Sequence, residues 1–145
     1  EMHPQALSFG HDVQSLVRKF DAGATSAITQ FFFNADSYFH LVEQVQKAGV
    51  FAPIIPGIMP ITNASNLIRF ADSCGAEIPR WVRKQLADFG DDSDSIKAFG
   101  HDVVIKLCER LMDGGAQGLH FYTMNQSAAT LALCERLGLT DNKTT

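Results

Sequence analysis

Three polar side chains near the start of the chain recur at the spacing of one helix face. Asp12, Ser15 and Lys19 stand at positions i, i+3 and i+7, so an α-helix would present them on the same side. A carboxylate, a hydroxyl and an ammonium in that arrangement can together bind hydroxyl and phosphate groups. The same pattern describes a solvated helix face whose ion pair contributes a few tenths of a kcal/mol. From the residue types alone, the solvated face is the favoured interpretation.

Three other side chains could contact a ligand, and each has a structural alternative. Gln30 is the polar exception in an apolar stretch, so it is either a substrate hydrogen-bonding group or a structural amide bonded to nearby backbone. Phe70 can stack on a ring or pack in the core. His3, which precedes Pro4, is a lone histidine near the terminus and has the weakest case of the three.

Short apolar stretches alternate with longer amphipathic ones, which predicts an α/β fold. The short stretches are rich in β-branched and aromatic residues, as strands are. The longer ones carry apolar residues at helical spacing, bounded by capping residues and glycines. Strands are predicted at residues 26–33, 51–56 and 118–123, and helices at residues 7–22, 34–49, 63–75, 79–89, 91–114 and about 128–138. Pro56 and Gly57 are expected to end the regular pairing of the second strand.

This alternation indicates a parallel sheet with right-handed crossovers. Three such strands are fewer than most α/β sheets contain, so the pattern fits part of a larger sheet. A (βα)8 barrel closes eight strands over roughly 250 residues. We therefore predict one α/β domain over residues 1–145 that forms part of a barrel, with about three parallel strands and flanking helices. Ile28, Gln30 and Phe32 are expected to face the barrel interior. Ligands should bind at the C-terminal strand ends, at residues 30–34, 56–62 and 122–126.

Composition argues against several classes of protein. The formal net charge of -4 and the isoelectric point of about 5.6 do not suit a nucleic-acid binder, for which values above roughly 9 are usual. No apolar stretch approaches the roughly 20 residues that a membrane helix needs. Cys74, Cys108 and Cys134 form no CxxC pair, which argues against a disulfide framework or a zinc site. Reduced thiols fit a cytoplasmic protein.

Five strings of residues together resemble the methylenetetrahydrofolate reductase family. They occur in the family's order and at its spacing, and the similarity spans nearly the whole chain. Thr-Gln-Phe-Phe-Phe, Pro-Gly-Ile-Met-Pro and Phe-Tyr-Thr-Met-Asn are the most specific in combination. The five strings are residues 3–6, 19–24, 27–33, 55–60 and 120–125.

The resemblance implies a fold, a reaction, FAD as cofactor and NAD(P)H as co-substrate. Family members are (βα)8 barrels with noncovalently bound FAD, and the match covers the second half of the barrel. They reduce 5,10-methylenetetrahydrofolate to 5-methyltetrahydrofolate. NAD(P)H first gives a hydride to the flavin, and the reduced flavin then reduces the folate.

The resemblance also implies roles for individual residues. His3 and Ala6 match flavin-site positions, and the helix set Asp12, Ser15 and Lys19 matches positions that hold the ribityl and phosphate region of FAD. Ser15 departs from an asparagine found in some members. Four residues match substrate-binding positions: Gln30 contacts folate, Phe70 stacks on folate or nicotinamide, and Asn66 and Gln126 stand where some members have a glutamine and an arginine.

No catalytic residue is assigned within the chain. The resemblance places both the glutamate that acts as general acid and an aspartate near the flavin upstream of residue 1. We therefore expect the isolated chain to be inactive, and to associate with itself or with the missing N-terminal half of a barrel. Two alternatives remain open. The chain is either a non-catalytic α/β ligand-binding or interaction module derived from the same fold, or part of a barrel enzyme of another class.

Overall fold

The computed structural model describes residue 3 and residues 5–140 of the chain. Within these residues the order of helices and strands is the predicted one. The elements are α1 (Phe9–Asp21), β1 (Ala27–Phe31), α2 (Ala35–Lys47), β2 (Ile54–Ile58), α3 (Ala64–Cys74), α4 (Arg80–Phe89), α5 (Ser93–Asp113), β3 (His120–Phe121) and α6 (Ser127–Arg136). Side-chain caps begin four of the helices, since Ser8, Asn34, Asn63 and Asp92 each accept a hydrogen bond from a first-turn N–H.

The three strands form one parallel sheet in the order β1-β2-β3, with β2 in the centre. The prediction of a three-stranded parallel sheet is confirmed. The strands are shorter than predicted, and β3 pairs only at His120 and Phe121, which lie opposite Gly57 and Ile58. Consecutive parallel strands joined by helices are the arrangement from which α/β barrels are built.

The prediction that Pro56 and Gly57 end the pairing of the second strand is wrong. β2 continues to Ile58, and Gly57 pairs with Phe31 on one side and His120 on the other. Pro56 has no N–H to donate. β1 adapts with an irregularity: Ile28 lies opposite Ile55 but Phe31 lies opposite Gly57, so two β1 residues face Pro56 alone. Pairing therefore resumes beyond the proline because β1 bulges.

The two faces of the sheet differ in how they are covered. On β2, alternation places Ile54, Pro56 and Ile58 on one face, and all three are buried beneath the helices. The opposite face carries Ile28, whose side chain is 54% exposed. In a closed barrel that second face would line the interior.

The expectation that Phe32 shares the face of Ile28 is wrong. Phe32 is 6% exposed and stacks on the Tyr38 ring of α2, with 5.9 Å between the ring centroids. The bulge shifts the alternation of β1 by one residue, and the strand ends at Phe31, so Phe32 turns towards the helix layer.

Helix α5 supplies much of the core. Val104, Cys108 and Leu111 on this helix are fully buried, as is Ile58 of β2. Gly100 allows α5 to approach the loop after β2, because a Cβ there would stand 2.6 Å from atoms of Ile61. Among the described helices, none combines the length and apolar character needed to cross a membrane.

Candidate functional site

Several of the residues singled out above lie at the C-terminal ends of the strands, where parallel α/β sheets bind ligands. Two of the hollows there are lined by these residues. The first is a cleft of about 570 Å³ at the end of β1, and the second is a slot of about 60 Å³ between α3 and the loop after β3. They are called the β1 cleft and the α3 slot below.

The β1 cleft brings together three predicted ligand-binding residues from separate segments. His3, Asp12 and Gln30 all line it. The backbone N–H of His3 donates to Oδ2 of Asp12 at 2.9 Å, which fastens the N-terminal segment to α1. Within the part of the chain that the structure describes, no hydrogen bond is recorded to the second carboxylate oxygen. Ala6 lies beside this segment, with its N–H bonded to the His3 carbonyl at 2.9 Å, but does not line the cleft.

The predicted polar face of α1 exists, since one helix carries Asp12, Ser15 and Lys19. The three residues are not equally available to a ligand. The Ser15 hydroxyl already donates to the His11 carbonyl and accepts from the Arg18 guanidinium, both at 2.9 Å. Lys19 is exposed and has no ion-pair partner among the described residues. Of the three, only Asp12 lines the β1 cleft.

The α3 slot brings together the other predicted substrate residues. Asn66 and Phe70 come from α3, and Gln126 comes from the loop after β3. The Arg69 guanidinium lies 5.1 Å from the centroid of the Phe70 ring, a cation–π distance. The Asn66 amide oxygen accepts from the same guanidinium at 3.4 Å. At about 60 Å³ the slot is much smaller than the β1 cleft, which measures about 570 Å³.

The backbone before Gln126 adopts an uncommon conformation. Met124 and Asn125 have φ angles of 51° and 60°, in the left-handed region that side chains other than glycine rarely occupy. Such residues cluster at ligand sites. Gln126 follows as the N-cap of α6, and its side chain makes no cap hydrogen bond. Sequence reasoning missed this turn, because methionine carries no signal for a positive φ.

The bulge that presents Gln30 is held by side-chain hydrogen bonds. The Gln30 Oε1 accepts from the backbone N–H of Phe31 at 3.0 Å. The Thr29 hydroxyl accepts from the Gly57 N–H at 2.9 Å and donates to the Gln30 carbonyl at 2.8 Å. These bonds replace those that Pro56 and the shifted register remove from the ladder. The side a bulged residue faces does not follow from alternation, so the interior orientation of Gln30 stays a prediction.

Tyr122 crosses the central strand to reach this bulge. Its hydroxyl donates to the Thr29 carbonyl at 2.9 Å. The ring passes over Gly57, where a Cβ would stand 2.7 Å from Cε2 of Tyr122. Burial raises the pKa of the Tyr122 hydroxyl, with a smaller contribution from the neighbouring Cys74 thiol, so the hydroxyl remains a donor at neutral pH. Sequence reasoning missed Thr29 and Tyr122 as site residues, although Tyr122 lies within one of the predicted strand ends.

Comparison with known proteins gives a consistent result. The family model described as methylenetetrahydrofolate reductase matches residues 1–138. A protein of Escherichia coli named 5,10-methylenetetrahydrofolate reductase is 37% identical over 139 residues, which cover 96% of this chain and 47% of the relative. A Buchnera aphidicola protein of the same name is 38% identical over 96% of this chain and 48% of the relative. A Caenorhabditis elegans protein named probable methylenetetrahydrofolate reductase (NADPH) is 38% identical over 94% of this chain and 21% of the relative. The chain thus spans about half the length of the bacterial relatives that it matches.

Proposed function

Because the chain belongs to the methylenetetrahydrofolate reductase family, we propose that it forms part of the active site of such an enzyme. The reaction is the FAD-dependent reduction of 5,10-methylenetetrahydrofolate to 5-methyltetrahydrofolate with NAD(P)H. The observation that carries the proposal is the grouping of six predicted ligand residues into two hollows at the strand ends. His3, Asp12 and Gln30 line the β1 cleft, and Asn66, Phe70 and Gln126 line the α3 slot.

The fold part of the proposal is that residues 1–145 are one domain, the C-terminal half of a (βα)8 barrel. Three parallel strands in sequential order support it, as does the exposed apolar side chain of Ile28, on the face opposite to that of the buried Ile54, Pro56 and Ile58. The remaining strands of the barrel would correspond to the part of the bacterial relatives that this chain does not match. Association with such a half, or with a second copy, would cover the open face.

Asp12 at the β1 cleft and Lys19 on the same face of α1 fit the ribityl and phosphate region of FAD. Among the described residues, one Asp12 carboxylate oxygen has no recorded hydrogen bond and could accept one from a hydroxyl, and the Lys19 ammonium, which has no ion-pair partner there, suits a phosphate. His3, Ala6 and Ser15 complete the proposed flavin set, with Ser15 contributing least because its hydroxyl is already bonded on both sides. When bound, FAD would accept a hydride from NAD(P)H and pass it to the folate.

Substrate contacts are proposed for the remaining four residues. Gln30 offers its Nε2 as a hydrogen-bond donor, since its Oε1 is held by the Phe31 N–H. Phe70 supplies an aromatic face for a planar ring of folate or nicotinamide. Asn66 and Gln126 border the same slot and offer amides to the polar groups of the substrate.

The general acid is proposed to come from the part of the enzyme that this chain does not cover. Two carboxylates that follow β1 are engaged elsewhere. Asp36 pairs with Arg110 and Glu43 pairs with Lys47, and both are exposed on α2. Because the proposed acid lies outside this chain, a second candidate function remains: a module that binds the ligands without catalysing their reaction. The proposed setting is the cytoplasm, which the three unpaired cysteines support.

The test is reconstitution. The chain is joined to the portion of the Escherichia coli relative that it does not cover, and this hybrid barrel is purified and assayed. We expect bound flavin in the absorbance spectrum and NAD(P)H oxidation that depends on methylenetetrahydrofolate. Gln30→Ala should lower folate turnover, and Gln46→Ala, at an exposed glutamine of α2, should not. A hybrid that folds and binds flavin but transfers no hydride to folate would favour the binding-module candidate.

A further inference from the structure

Gln30 occupies a stretch of β1 where regular strand pairing is interrupted. Thr29 and Gln30 together face Pro56, so neither has a regular partner on β2. The extra residue of a bulge is left unpaired and the ladder is disrupted around it, so other groups must fix its conformation. Whatever fixes the peptide units on either side of Gln30 therefore also fixes the direction of its side chain.

Both of those peptide units are held by hydroxyl groups. The Tyr122 hydroxyl donates to the Thr29 carbonyl at 2.9 Å, which anchors the peptide before Gln30. The Thr29 hydroxyl donates to the Gln30 carbonyl at 2.8 Å, which anchors the peptide after it. The Thr29 hydroxyl is itself fixed to the central strand, because it accepts from the Gly57 N–H at 2.9 Å.

The side-chain amide of Gln30 is then oriented by a third bond. Its Oε1 accepts from the N–H of Phe31 at 3.0 Å, so the carbonyl end points back to the strand and Nε2 is the end left for a ligand. Without the two hydroxyl anchors, the Phe31 N–H would no longer be held in a fixed position. The Gln30 side-chain amide could then rotate by 180° and present its oxygen, an acceptor, in place of the Nε2 donor.

We infer that Thr29 and Tyr122 are positioning residues, which act through Gln30 by holding its amide with the donor end towards the substrate. The inference rests on the proposed function, since it takes Gln30 as the folate contact. Tyr122 brings its hydroxyl across β2 only because residue 57 is a glycine. The hydroxyls need not touch the substrate themselves.

The test is a double-mutant cycle in the hybrid barrel, with Tyr122→Phe, Gln30→Ala and the combination of both. Tyr122→Phe keeps the ring over Gly57 and removes only the anchor to Thr29. We expect it to lower kcat/KM for the folate half-reaction about three- to tenfold, the factor expected for one hydrogen bond. Flavin content should not change. In the Gln30→Ala background the same substitution should have no further effect, because it acts through that side chain.

The threonine gives an independent arm of the experiment. Thr29→Val should impair the folate half-reaction, and Thr29→Ser, which keeps the hydroxyl, should restore it. Tyr38→Phe calibrates stability, because it removes a tyrosine-to-carbonyl bond of similar length, 2.8 Å to Ile54. If Thr29→Val does not fold, the tyrosine cycle carries the test alone.

The possible outcomes separate the inference from the proposed function. If Gln30→Ala leaves folate turnover unchanged, Gln30 is not the substrate contact, and both are overturned. If Gln30→Ala is impaired but Tyr122→Phe is neutral, only the positioning role is overturned. The same holds if the effects of the two substitutions multiply, since Tyr122 would then act on the substrate independently of Gln30.

Discussion

Replacing Gly57 by alanine should damage both the sheet and the site, because this glycine is the point over which Tyr122 crosses β2. An added methyl group would overlap the backbone carbonyl oxygen of Thr29 and would stand 2.7 Å from Cε2 of the Tyr122 ring. The ring can move aside, but the Thr29 carbonyl belongs to the backbone of the bulge and cannot move without disturbing the hydrogen bonds that hold it. Overpacking of this kind costs about 1–3 kcal/mol.

A matched control isolates the effect of the contact from that of a lost glycine. Gly118, just before β3, would place a methyl group 3.9 Å from Ile55 Cδ1, an ordinary van der Waals distance. Both variants are compared with the unaltered hybrid barrel in urea denaturation followed by circular dichroism. We expect Gly57→Ala to lower the free energy of unfolding by about 1–3 kcal/mol, and Gly118→Ala to leave it nearly unchanged. Equal stability of the two variants would show that neither the Thr29 carbonyl nor the Tyr122 ring lies close over Gly57.

Three further predictions concern the flavin, the isolated chain and a buried thiol. Lys19→Ala in the hybrid barrel should weaken FAD binding at least about tenfold in a flavin titration, since a charge-assisted bond contributes roughly 1.5–3 kcal/mol; Lys47→Ala, at an exposed lysine paired with Glu43, is the control. The 145-residue chain alone should not oxidise NAD(P)H with folate, and sedimentation should show association through its exposed apolar side chains, such as Ile28 and Leu131; a monomer at high concentration would contradict this. Burial raises the pKa of Cys108 to about 12 from its ordinary 9.0, so the thiol should resist alkylation until the protein unfolds. Because the folded protein holds this proton more tightly than the unfolded chain, the stability that the neutral thiol contributes should be lost as the pH rises from 9.0 to about 12.

Much of the fold follows from local patterns in the sequence. Apolar residues at helical spacing, capping residues and glycines set the helices, and the structure has them in the predicted order. Asn34 caps α2 as expected, and its side chain accepts from the Asp36 N–H at 3.0 Å. These features depend on residues a few positions apart, so they can be recognised without knowledge of the tertiary structure.

What the sequence could not predict depends on contacts between distant segments. The bulge in β1 arises because Pro56 lies opposite it, and no property of residues 27–31 alone indicates where the central strand has its proline. The burial of Phe32 follows from that bulge and was mispredicted for the same reason. The left-handed conformation of Met124 lacks a local signature as well, whereas asparagine, as at position 125, adopts positive φ more readily than most residues.

The candidate site was predicted in two different ways. The strand-end rule located the region, since both hollows lie at the C-terminal edge of the sheet. The grouping of Asn66, Phe70 and Gln126 was not predictable from spacing, because Asn66 and Gln126 lie 60 positions apart in the chain. The substrate-binding roles of the three residues came from the family resemblance. Thr29 and Tyr122 were missed by both routes, since neither residue type stands out until its hydrogen-bond partners are known.

Four residues at this edge of the sheet depend on one another. Pro56 removes a backbone donor from the central strand, and the Thr29 hydroxyl takes the next one, the N–H of Gly57. Gly57 leaves space for the ring of Tyr122, whose hydroxyl in turn bonds the Thr29 carbonyl. Each residue supplies or frees a group that another one uses, so the bulge is held as a unit. A glutamine amide held by such a unit would need little reorganisation on binding a ligand, which is the property that the proposed folate contact requires of it.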